Sequence, residues 1–109
     1  MPFQKTHTQR VWNLLQEYQG AQNGISAQAL ARRVPCSDRQ VRDAISELRN
    51  EGVAVCGHPS SGYYLANDRQ DIDRTCDFLR KRALHSLRLE AAMRQTPLGD
   101  LMAEIRHEL

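Results

Sequence analysis

At 109 residues the chain has room for one hydrophobic core and not for a catalytic domain beside a binding domain. A hydrophobic share of 40% and a charged share of 26% are ordinary for a globular chain and exclude wholesale disorder. A formal net charge of +2 is too small to announce a polyanionic partner, so a case for one must come from where the charges sit.

Thr6 with Gln9 three residues later has the form of a capping box, and Val11, Leu14, Leu15 and Tyr18 then recur at helical spacing. The pattern predicts a first helix from about His7 to Gln19. Gly20 ends it, and Gly20 to Gly24 carries residue types that tolerate positive φ, so a loop follows before Ile25, a core anchor or very short strand. Ser26 is a good N-cap for a second helix over 27–34, with Leu30 and Val34 on one face and Ala27 and Ala31 leaving room for a close neighbour. Pro35 stops it, because proline cannot donate the next hydrogen bond and disfavours helical geometry at the residue before it.

Ser37 with Gln40 forms a second apparent capping box, and Val41, Ala44, Ile45 and Leu48 trace one apolar stripe ending near Gly52. Two short helices joined by a turn of a few residues form a helix-turn-helix pattern. The strand-like segments 53–56 and 63–66 flank the turn-rich Gly57 to Gly62, which predicts a hairpin, the wing of such a module. Asn67 and Asp68 can cap a fourth helix, whose apolar positions Ile72, Cys76, Leu79, Ala83, Leu87 and Ala91 keep steps of three or four to about Gln95. Such a helix is about 40 Å long, more than a small domain covers along one side, so its distal part is expected to meet another chain. Thr96 to Gly99 breaks the pattern, and from Asp100 a short amphipathic helix is expected over Leu101, Ile105 and Leu109.

The fold class read from these elements is mainly α with a small β-hairpin wing, a winged helix-turn-helix over 1–66 followed by a helical extension over 67–109. The residues Ile25-Ser26, Leu30-Ala31, Ser37 to Val41, Ile45 to Leu48, Glu51 to Val53 and Gly62 to Leu65 give a segment that resembles the winged-helix DNA-binding domain of the biotin operon repressor and related stand-alone regulators. The resemblance covers a little over a third of the chain and specifies fold better than partner. It implies double-stranded DNA as partner. The biotin chemistry of that repressor is not carried over, since no glycine-rich nucleotide loop is present, and no cofactor or small-molecule ligand is expected.

With Val41 at the centre of the buried face and about 100° per residue, Arg39, Asp43, Ser46 and Asn50 point outward, with Arg42 and Arg49 on one flank. In this docking mode the start of the third helix enters the major groove, where arginine pairs with guanine and glutamine with adenine, so Arg39, Gln40 and Arg42 are the base-reading candidates. Ser37 at the helix N-terminus and Arg49 farther along suit phosphate contacts. His58, Ser60 and Ser61 at the wing tip are polar donors for a minor groove or phosphate, without the Arg or Lys that would hold DNA tightly there. Asp38, Asp43 and Glu47 on the same helix oppose phosphate unless paired with arginine or directed at a cytosine amino group.

Leu79, Ala83, Leu87 and Ala91 form the expected homodimer seam of the fourth helix, its proximal half packing at home. Arg80-Lys81-Arg82, Arg88 and Arg94 read as a solvated face that complements the helix dipole, or as a second phosphate-contacting surface. Trp12, Tyr63 and Tyr64 suit the core at the base of the wing. The cysteines, Cys36, Cys56 and Cys76, are odd in number and lack a Cys-x-x-Cys pair, so reduced thiols in a cytoplasmic protein are expected. His7, His58, His85 and His107 are too scattered in sequence for a metal cluster. No signal core or run of about 20 apolar residues points to a membrane. No triad, phosphate loop or paired-carboxylate pattern points to an enzyme. The expected function is that of a sequence-specific, homodimeric transcriptional regulator, a repressor by occupancy. The alternatives are a winged-helix protein-interaction adaptor, for example one encoded by a phage or prophage, and a DNA-replication accessory protein.

Overall fold

The third helix shows most directly how local sequence sets this fold. Ser37 accepts the backbone N–H of Gln40 at 3.0 Å while Gln40 Oε1 accepts the backbone N–H of Ser37 at 2.9 Å, closing the predicted capping box. At the other end the Val53 N–H reaches the Leu48 carbonyl at 3.0 Å and the Gly52 N–H reaches that of Arg49 at 2.9 Å. This is a Schellman turn, and it needs the φ of +90° that Gly52 adopts without a Cβ penalty.

The computed structural model describes residues 7–109 in full together with the backbone of Thr6, so the capping box expected at Thr6 lies outside the described side chains. The elements are α1 (Thr6–Leu15), a 3-10 turn (Ala21–Asn23), α2 (Ala27–Arg33), α3 (Asp38–Asn50), β1 (Val55–His58), β2 (Gly62–Leu65), α4 (Arg69–Arg94) and α5 (Leu98–Glu108). They divide into two compact units, one ending at Thr75 and one running from Cys76 to Leu109.

In the first unit α1 and α2 both pack on α3. Val11, Leu15, Leu30, Val41, Ile45 and Leu48 are at most 1% exposed and form its centre, each contributing about 1.5–3 kcal/mol on burial. β1 and β2 pair antiparallel, Val55 opposite Leu65 and His58 opposite Gly62. Ile25 joins the free side of β2, exchanging hydrogen bonds with Tyr63 at 2.8 and 2.7 Å, so the short strand expected there is present as a bridge. The approach is close: a Cβ on Gly24 would overlap the Ser61 carbonyl.

Helix α1 stops at Leu15, four residues before the expected end, because the chain beyond it pairs with β2. The Leu65 N–H donates to the Tyr18 carbonyl at 2.7 Å, and the Gly20 N–H to that of Leu65 at 2.8 Å. β1 begins two residues late, since Val53 is spent in the Schellman turn that closes α3. Its far end takes in Gly57 and His58, which were expected in the loop but pair with Tyr63 and Gly62.

The start of α4 is built into the same unit. Asp68 Oδ1 accepts the Asp71 N–H and Asp71 Oδ2 accepts that of Asn67, both at 2.9 Å, satisfying two donors at the helix N-terminus. Asp71 is only 4% exposed and also pairs with Arg74. Cys56 Sγ donates to the Asp71 carbonyl and the Gly57 N–H donates to Thr75 Oγ1, so the wing root and the first turns of α4 hold one another.

In the second unit the rest of α4 ends in another Schellman turn, with the Thr96 N–H on the Ala91 carbonyl and the Gln95 N–H on that of Ala92. Gln95 takes the left-handed φ of 53°. Pro97 then precedes α5, which begins at Leu98 and not at the expected Asp100. Leu84, Leu87 and Ala91 on α4, and Leu98, Leu101 and Ile105 on α5, are the shielded apolar positions of the unit, Ala91 and Leu101 being fully buried. The architecture is mainly helical with one antiparallel hairpin and a long helix after it.

Candidate nucleic-acid interface

Helix α3 has one buried stripe, Val41, Ala44, Ile45 and Leu48, and the rest of its surface is determined by that choice. Arg39, Gln40, Arg42, Asp43, Ser46 and Asn50 are exposed, so the expected contact residues share one solvent-facing surface. Ser37 caps the helix at the same end as Arg39, and its open groove of about 660 Å³ is also lined by Gln28, Arg32, Cys36 and Asp38. Arg32 thus adds a cation beside the α3 N-terminus, where backbone N–H groups favour an anion. Sequence periodicity did not single out Arg32 because it lies on the preceding helix.

Two members of the surface have other commitments. The Gln40 amide oxygen is held in the capping box, so pairing both faces of that amide with adenine would require the cap to open. Arg49 is half-buried, and its Nε donates to the Val55 carbonyl at 2.7 Å, linking the end of α3 to the start of the wing. Its Nη2 would lie 3.4 Å from a Cβ at Gly57, so the guanidinium sits in the angle between helix and hairpin. Glu47 is half-buried and tied to α1, its Oε2 accepting from the buried Thr8 hydroxyl at 2.9 Å. No local pattern signals either link, because the partners lie on different elements.

At the wing tip His58 Nδ1 stands 2.7 Å from Ser60 Oγ and accepts the Ser60 backbone N–H at 3.1 Å. The imidazole therefore holds the turn, and Ser60 is spent on the same contact. Ser61 is half-buried beside Gly24. His58 and Ser60 are exposed.

Cys36 is half-buried at the turn between α2 and α3, and burial, with the Asp38 carboxylate beside it, raises its thiol above the ordinary value. Cys56 is buried, its Sγ held on the Asp71 carbonyl, and Cys76 is exposed. Among the described residues no three His, Cys, Asp or Glu side chains gather as a metal site, and no helix is long and apolar enough to cross a membrane.

Of the four residues expected in a dimer seam, Leu79 and Ala83 are exposed, Leu87 is half-buried and Ala91 is buried.

The family model described as HTH domain matches residues 10–64, half of the chain, from within α1 into β2. The chain belongs to the HTH-domain family. Within this HTH domain α2 and α3 are the paired helices, and the hairpin after them makes it a winged helix-turn-helix, a DNA-binding fold. No curated protein matches the chain. A solved structure similar to it is a GntR family transcriptional regulator from Listeria monocytogenes, at 16% identity and a TM-score of 0.45, over 98% of this chain and 97% of that one.

Proposed function

We propose that the chain is a sequence-specific regulator of transcription that binds double-stranded DNA as a homodimer and represses by occupying its site. The observation that carries this reading is the composition of the exposed α3 surface. Arg39 and Arg42 lie at its start, the part of the helix that enters the major groove in this fold, with Asp43, Ser46 and Asn50 behind them. Arginine reads guanine bidentately, and a carboxylate such as Asp43 accepts from a cytosine amino group. A surface with both signs of charge gives weak binding to arbitrary DNA and discrimination among sequences, in keeping with the small net charge.

The positioning contacts in this reading are Ser37 with the α3 N-terminus, Arg32 beside it, and Arg49 in the angle between helix and wing. His58, Ser60 and Ser61 approach the adjacent backbone or minor groove with hydrogen-bonding groups rather than charge. Two copies of α3 would read half-sites about one helical turn apart. A cytoplasmic location fits a DNA-binding role in a chain whose cysteines are not joined in disulfides. The protein acts in this reading by binding, with no reaction assigned to it.

The test is a titration of labelled duplex with wild-type protein and with Arg39→Ala, Arg42→Ala and Arg80→Ala at several salt concentrations. The expected result is a loss of about 1–3 kcal/mol on the preferred site for the first two, with relaxed base preference, and an unchanged preferred site for Arg80→Ala. Equal, sequence-independent losses in all three would overturn the assignment of α3 as the reader.

A further inference from the structure

A two-stranded hairpin is marginal by itself, so the angle of the wing is set by what grips its strands from outside. β2 is held on its free side by Tyr18, Gly20 and Ile25. The outer edge of β1 is gripped at two points two residues apart. Arg49 of α3 donates to the Val55 carbonyl at 2.7 Å, and the Gly57 N–H donates to Thr75 Oγ1 of α4 at 3.3 Å. Alternate residues of an antiparallel strand turn their backbone groups to the same edge, so α3 and the first turns of α4 hold one edge of β1. Thr75 follows Asp71 by one helical turn, is 7% exposed and belongs to the first unit. Its hydroxyl also faces the Tyr64 phenol of β2, which burial raises above its ordinary value and which hydrogen bonding with Thr75 draws back.

We infer that Thr75 is a positioning residue for DNA binding: its hydroxyl fixes the angle of the wing so that the tip meets the duplex while α3 lies in the major groove. The inference rests on the DNA-binding reading above and gives the wing contacts of that reading a residue that sets them.

The chemistry of this tip makes its aim matter. His58 and Ser60 offer hydrogen-bonding groups, and the loop carries no Lys or Arg. An ion attracts a phosphate over several ångströms, whereas a hydrogen bond weakens steeply once its length or angle departs from the optimum. Ser60 lies three residues beyond Gly57, up to about 10 Å along the strand direction, so a small rotation at the root becomes a displacement that breaks such contacts. Gly57 cannot supply the brace with a side chain of its own, because a Cβ there would lie 3.1 Å from the Tyr63 ring. Its N–H is therefore the handle, and the next residue is His58, whose Nδ1 accepts the Ser60 N–H at 3.1 Å and shapes the tip.

The test uses the full chain and the duplex that the wild type selects from a random library. The variants are Thr75→Val, Thr75→Ser, a tip variant with His58→Ala and Ser60→Ala, and the tip variant combined with Thr75→Val. Thr75→Val and the tip variant are each expected to bind about 5-fold more weakly, the effect of about one hydrogen bond, and Thr75→Ser to bind like wild type. The combined variant is expected to bind no more weakly than the tip variant, because both changes remove the same contacts. Thermal melts identify a variant that has failed to fold. A measurement on the wild type is independent of that outcome: exchange of the Gly57 amide, followed by NMR, should be at least as slow in the complex as in the free protein. Full affinity of Thr75→Val, a loss that adds to that of the tip variant, or faster Gly57 exchange in the complex would overturn the role of Thr75 while leaving α3 as the reader. A tip variant that binds like wild type would overturn it as well, since the wing would then make no contact to position. A wild type that selects no duplex would overturn the DNA-binding reading and this inference together.

Discussion

Arg49 Nε donates a 2.7 Å hydrogen bond to the carbonyl of Val55, so the last turn of α3 and the first residue of the wing are held at a fixed angle. Val55 is 2% exposed, and the carbonyl has little access to water if the arginine is removed. Arg49→Ala is therefore expected to cost about 2 kcal/mol in chemical denaturation, the range for a hydrogen bond to a charged group with its partner left buried. Asn50→Ala, on the exposed side of the same turn, should stay within about 0.5 kcal/mol. Equal effects at the two positions would mean that Arg49 does not join helix and wing.

The two Schellman turns make a paired test of backbone conformation. Gly52 occupies the left-handed position after α3 with φ of +90°, whereas Gln95 occupies the equivalent position after α4 at φ of 53°. Gly52→Ala should destabilise the protein by about 1 kcal/mol, and Gln95→Gly should stabilise it by a similar amount, because a Cβ is unfavourable in this region. Thermal melts of the two variants check the opposite signs.

The Cys36 thiol is raised by burial first and by the Asp38 carboxylate second, and both oppose the thiolate. Since the thiolate is the reactive form, alkylation at Cys36 should be slow near neutral pH and should accelerate only at a more alkaline pH than for an ordinary thiol. Asp38→Asn removes one of the two causes and should move that acceleration toward lower pH. Mass-resolved labelling with iodoacetamide reads this at Cys36 separately from the exposed Cys76.

The parts of this structure legible in the sequence are those fixed by contacts a few residues apart. The capping box of Ser37 with Gln40, the stripe through Val41 and Leu48, and the stop at Gly52 all follow from near neighbours. Boundaries set by distant partners were not legible: α1 ends early because Tyr18 and Gly20 pair with Leu65, some 45 residues on. The candidate interface divides in the same way. That Arg39, Arg42, Asp43, Ser46 and Asn50 share an exposed face follows from helical periodicity alone. That Glu47 serves Thr8 and Arg49 serves Val55 required the packed chain, because each side chain had a plausible use in solvent.

Whether α3 reads DNA sequence is decided by selecting bound duplexes from a random library with wild type and Arg39→Ala side by side. The expected result is enrichment of a two-fold symmetric motif by the wild type and loss of guanine preference at one position of each half-site in the variant. No enrichment by the wild type even at low salt, where phosphate contacts are strongest, would contradict it and favour a protein partner for the winged helix.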